Sequence, residues 1–203
     1  MHALVKRDEQ MREPGGAPRF DLLVVDAPAT GHGISFLDVP RVVVSAVRSG
    51  PLRRNAELVE EMIADRDRTL LLPVALAEEL PARETAELVA KVRSELRIAL
   101  DRIVVNALVA RPFPPGLEDL DAKLARLPRE PLCQGLPPPP VIAACAAHLR
   151  SRYELNRVYL DEIARSTGLP VVPLPFLLSG IRGPEDLRRL AEALLAVPIA
   201  EAA

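Results

Sequence analysis

The chain has 203 residues, one domain's length or most of one, and enough to bury an extended core. Apolar residues make up 49% and charged residues 27%, with a net charge of −2, which excludes a disordered tail or a highly charged linker. Acids and bases alternate along the chain without a basic block, and aromatics are only 3%, so a nucleic-acid surface with stacking platforms is excluded as well.

In chain order, residues 1–13 read as the tail of a helix, with Leu4, Val5 and Met11 among charged neighbours, broken by Pro14, Gly15, Gly16 and Pro18. Residues 1–19 are thus a residual helix and linker before a folded portion spanning 20–203. Phe20 to Val25 is a nearly unbroken apolar run, as expected of a strand buried on both faces. It ends on Asp26, followed by a glycine-bearing loop, Ala27 to Gly33. Helical periodicity covers Pro40 to about Asp65, with a break at Gly50-Pro51. Thr69 to Leu76 reads as a strand whose latter half Pro73 places at an edge or a sheet end.

A helix is expected from about Ala82 to Leu100, and a third strand from Arg102 to Leu108. Residues 111–140 carry nine prolines and form a surface excursion around a short helix near Leu117 to Leu127. A long helix then runs from about Val141 to Ser166, with Ile142, Cys145, Leu149, Tyr153, Asn156, Leu160 and Ile163 on one stripe and Gly168 as its stop. Leu169 to Leu174 is the fourth strand. Pro184 to Leu195 is the last helix, with acids in its first turn as the helix dipole favours. Alternating strands and long helices predict an α/β fold with a parallel sheet flanked by helices.

Chemistry concentrates at the strand ends. A carboxylate at the tip of a buried strand is costly unless something uses it, and phosphate-bound Mg²⁺, which takes carboxylate oxygen directly or through water, is such a use. Thr30 and the glycines around His32 would let backbone N–H groups approach a phosphate. Asp also favours turns, so turn capping fits the same position. Cys133 and Cys145 lack metal-ligand spacing; with His148 three residues beyond Cys145, they read as packing residues in a reducing compartment. No apolar run of about 18 residues occurs, so a cytoplasmic protein without an integral membrane segment is expected.

The string Asp26-Ala27-Pro28-Ala29-Thr30-Gly31-His32 resembles the switch motif of the ArsA-type ATPases, the arsenite-pump and tail-anchored-protein targeting ATPases. Further segments follow in that family's order: Gly50-Pro51, Val74 to Pro81 with Glu84-Thr85, Val104-Val105-Asn106, and Val172 to Phe176 with Gly180 to Gly183. The resemblance implies a P-loop NTPase-like fold whose N-terminal strands are missing here. It implies that Asp26 holds magnesium through its water shell, that Thr30 and Gly31 lie near the terminal phosphate, and that His32 belongs to the moving switch. Asn106 would bond the adenine edge, and Pro173 and Pro175 would line the adenine pocket. Without the family, Asn106 is equally a turn residue after a strand.

One departure is large: the glycine-rich phosphate loop with its Lys-Ser/Thr ending is not in the 203 residues. The first switch, with its water-orienting aspartate, is missing as well, and phosphoryl transfer without these groups loses most of its electrostatic stabilisation. The expectation is an ArsA-family ATPase-like protein that, in complete form, binds and hydrolyses Mg-ATP to drive conformational change in a client or partner. This chain alone would bind Mg-ATP weakly or not at all and would be inactive, a truncated or split half. The resemblance implies a homodimer, or pairing with a complete ATPase subunit. The alternative is a catalytically inactive paralogue acting as a regulatory or scaffolding subunit. The zinc-binding cysteine pair of the targeting branch is not matched, and no cysteine cluster supports arsenite.

Overall fold

A computed structural model describes residues 22–27, 30–114, 116–117, 119–128 and 135–196. The helix expected over residues 1–13 lies outside them, as does Cys133. The described chain divides into two compact units, one containing residues up to Leu71 with Glu87–Leu100, the other Leu72–Ala86 with the residues from Asp101 onward.

The first unit holds the helices α1 (Thr30–Ala46) and α2 (Pro51–Ala64) and the short strands β1 (Leu70–Leu71) and β3 (Ala99–Leu100). Gly50 sits at φ 111° and Pro51 opens α2, a pairing that suits glycine's freedom and proline's preset φ. Arg53 fastens the turn between α1 and α2. Its guanidinium donates to the Val44 and Val47 carbonyls at 2.6 and 3.0 Å and pairs with Glu57 at 2.7 Å. It thereby satisfies carbonyls that the end of α1 leaves open. β1 and β3 pair in parallel, Leu70 with Ala99 and Leu71 with Leu100. The core around them is aliphatic: buried Ile63, Val92 and Ile98, packed by Leu37, Val59, Leu88 and Leu96 among others. Val92 opens a π-helical turn, Val92–Leu96, that Arg97 closes in a left-handed conformation.

In the second unit β2 (Val74–Leu76), β4 (Ile103–Leu108) and β5 (Val171–Pro175) form a parallel sheet in the order β2-β4-β5. Ile103, Val105 and Val172 are fully buried, which explains why these strands read as unbroken apolar runs. α5 (Pro139–Thr167) packs on β4 and β5, and α6 (Pro184–Leu195) on β5. Gly168, at φ 65°, terminates α5 in the left-handed conformation that a Cβ disfavours. α3 (Glu79–Lys91) follows β2, and α4 (Leu120–Ala125), the short helix of the proline-rich excursion, docks on α5. The α4–α5 contact is anchored by Asp121, whose side chain is 7% exposed and whose two carboxylate oxygens accept from the two terminal guanidinium nitrogens of Arg150, each at 2.7 Å. Asp121→Ala should therefore lower stability by about 2 kcal/mol, the scale of a hydrogen-bonded charge left unmade. Urea denaturation of Asp121→Ala, Arg150→Ala and the double variant checks this, and additive losses would show that the pair is not coupled.

Four expectations need correction. The helix expected to run to Leu100 ends at Leu96, and Ala99–Leu100 form β3. Leu22 to Ala27 form no strand and are all exposed, whereas Phe20 to Val25 were expected to be a buried strand. An apolar run becomes a strand only by pairing, and among the described residues none pairs with it. The loop expected after Asp26 is instead helical from Thr30, and α1 runs through Pro40. Its glycines cost only about 1 kcal/mol each relative to alanine, and packing of Leu37 on the Ile63 core overrides that. Thr69 to Leu76 divides into β1 and β2 at Leu72-Pro73, and the Pro73 carbonyl accepts from Val104 N–H at 2.9 Å. Proline's missing N–H ends the first ladder there.

Candidate functional site

The three strands of the second unit are parallel, so their carboxyl ends lie on one side, where ligands bind in open α/β sheets. A cavity of about 230 Å³ occupies that side. Leu76, Ala77 and Glu78 line it from the end of β2, and Asn106, Ala107 and Val109 from the end of β4. Phe176 closes it just beyond β5, and His148, Leu149, Arg152 and Asn156 form its helical wall on α5.

The backbone at Asn106 is irregular for a reason. Val105 pairs with Pro173 and Leu108 with Pro175, and the register shifts between them. Ala107 takes φ 60°, unusual for a residue with a Cβ, and its N–H bonds the Asn106 side-chain oxygen at 2.8 Å. A bulge of this kind re-aims a side chain, here leaving Asn106 exposed and lining the cavity. Beyond the bulge, Phe176 N–H bonds the Leu108 carbonyl at 2.8 Å and carries the pairing to the aromatic ring's own residue.

The helical wall grades from wet to dry. His148 is exposed, Arg152 half-buried and Asn156 buried, at four-residue steps along one face. Arg152 is held by Glu78 at 2.9 Å across the cavity rim. The lining combines apolar Leu76, Leu149 and Phe176 with a few polar groups. The volume is below the roughly 300–1,000 Å³ of pockets that take whole drug-sized ligands.

Asn106 lies within β4, at the bulge, and lines the cavity. Pro173 and Pro175 on β5 pair with the β4 residues on either side of the bulge and do not line the cavity, whereas Phe176, next in the chain, does. Asp26 belongs to the other unit, exposed and four residues before α1. Thr30, Gly31 and His32 form the first residues of α1 in that same unit. Among the described residues no group of three or more His, Cys, Asp or Glu could hold a metal ion, and Cys145 is a free, exposed thiol. Nor is any helix among them long and apolar enough to cross a membrane. Sequence reasoning missed His148, Arg152 and Glu78 as site residues. The four-residue spacing of His148, Arg152 and Asn156 was the available signal.

No protein-family model matches the chain. ATPase BagA of Mycobacterium tuberculosis is 33% identical over 104 residues, covering 51% of this chain and 29% of that protein. ATPase GET3 of Candida glabrata is 24% identical over 218 residues, covering 94% of this chain and 54% of the relative. ATPase GET3 of Lachancea thermotolerans is 23% identical over 219 residues, covering 94% and 55%. The chain thus spans about half the length of the two GET3 proteins and less than a third of BagA.

Proposed function

From the premise that this chain is a relative of the ArsA/GET3-type ATPases, we propose that its second unit supplies the base-binding part of a nucleotide site. The observation that carries the reading is the cavity at the carboxyl ends of β2, β4 and β5, with Asn106 turned onto its lining by the bulge. An asparagine amide pairs a donor with an acceptor, the combination presented by the edge of adenine. Phe176, Leu149 and Leu76 supply apolar surface for the ring faces.

Asp26 would hold Mg²⁺ through the ion's own waters, as suits an exposed carboxylate with no ligand cluster among the described residues. Bound Mg-ATP would supply the reacting phosphoryl group and the charge that neutralises it. The cradle for its phosphates is not among these 203 residues, and an upstream segment or a partner subunit would contribute it. Assembly as a homodimer, or with a complete ATPase subunit, is the arrangement this division of labour requires. A cytoplasmic protein coupling hydrolysis to conformational change in a client is the whole-protein activity we assign on this basis.

Saturation-transfer NMR with adenosine tests the base site directly. Adenosine at millimolar concentration should receive saturation through its base protons, and Asn106→Leu should remove the effect while leaving the circular dichroism unchanged. Equal signals from both proteins would reject Asn106 as a base contact.

A further inference from the structure

The deepest polar group of the cavity is Asn156, 4% exposed, at the third of the four-residue steps along α5. Its Nδ2 donates to the Ala77 carbonyl at 3.1 Å, and its Oδ1 accepts from the Val109 N–H at 3.0 Å. Ala77 follows the last residue of β2, and Val109 follows the last residue of β4. β2 pairs with β4 only as far as Leu76 opposite Asn106. Beyond that pair the ladder stops, and the asparagine amide bridges the two chains in its place.

The residue type is demanding. A buried carbonyl needs a donor and a buried N–H needs an acceptor, so one side chain must present both at once. Aspartate keeps the acceptor and loses the donor; leucine, of similar size, loses both. The two backbone groups belong to the opposite walls of the cavity, one beside Glu78 and the other two residues after the Ala107 bulge. The span of this amide therefore sets how far apart the strand ends stand, and with it the place of Asn106 relative to Leu76 and Glu78.

We infer that Asn156 is a positioning residue that fixes the width of the strand-end crevice and thereby the orientation of the base it accepts. The inference rests on the reading of the cavity as a base site.

The test uses the full chain, with adenosine and guanosine as probes in saturation-transfer NMR titrations. Wild type should favour adenosine. Asn156→Asp and Asn156→Leu should each bind adenosine about tenfold more weakly, the scale of one or two neutral hydrogen bonds. The adenosine-to-guanosine affinity ratio should also fall towards one. A substitution that merely unfolds part of the population scales both signals alike and leaves the ratio unchanged. Folded variants with wild-type affinity and ratio would overturn the role. If neither variant folds, wild type decides: saturating adenosine must shift the Asn156 side-chain amide and the Val109 N–H, and unmoved signals sink the idea. Failure of the base-site reading looks different, because wild type itself would then show no contact with adenosine.

Discussion

Mg-ATP titrated into this chain should bind no more tightly than adenosine does, and calorimetry should detect no submicromolar site. Charge-assisted contacts to phosphate are worth roughly 1.5–3 kcal/mol each. A phosphate loop and its lysine supply several of them, enough to separate a micromolar site from an unmeasurable one. None of that loop is present in the sequence. If the strand-end cavity takes the base as proposed, it contributes base contacts alone, so adenosine, AMP and ATP should differ little in affinity. Tight, Mg-dependent ATP binding would mean that these residues recognise phosphate by another route. When a phosphate loop is provided by a partner subunit or an upstream segment, Asp26→Asn should abolish Mg-dependent hydrolysis, because the amide keeps the shape and removes the charge. Undiminished turnover would leave Asp26 as a turn residue.

Leu22 and Val24 are 78% and 81% exposed, and Leu23 and Val25 are 49% and 43% exposed, in a segment that joins no ladder among the described residues. Exposed apolar residues of strand composition recruit another strand. The purified chain should therefore self-associate, and Leu22→Lys with Val24→Lys should return it to a monomer in size-exclusion chromatography with light scattering. Charged side chains on an edge are a means by which natural sheets block such pairing. A monomeric wild type with strongly protected amides from Leu22 to Val25 would contradict this, because the segment would then already be paired within its own chain.

Much of the second unit was legible because local signals agreed with the tertiary outcome. Pro184 at the first helical position and acids in the first turn marked α6 at its observed bounds. Gly168 marked the end of α5, and apolar runs marked β4 and β5. The first unit was less legible for a physical reason. Leu22 to Val25 have strand composition, but composition cannot provide the neighbour that makes a strand. Thr30 to Ala46 contain two glycines and a proline, and only packing on Ile63 explains why they are helical. At the site, Asn106 could be picked out by its place after a strand, together with the family string. Arg152 and Glu78 could not, because they lie 74 residues apart and meet only once α5 has docked. Asn156 was read only as one member of a stripe along α5; its burial and its partners on Ala77 and Val109 depend on contacts distant in the chain.

The bridge made by Asn156 also has a bearing on how the chain acquires its shape. Its two bonds close sequence separations of 79 and 47 residues, and every pairing in the β2-β4-β5 sheet joins strands that an intervening helix keeps apart in the chain. Contacts of this kind demand loop-closure entropy before they return any stabilisation, so they form late and slowly. On a ribosome, β2 and β4 would emerge long before α5 and β5 could lock them, and the crevice would stay open until Phe176 had cleared the exit tunnel. During that interval the aliphatic faces of β2 and β4 are unprotected, which makes this half of the protein a natural client for chaperones while it is being made.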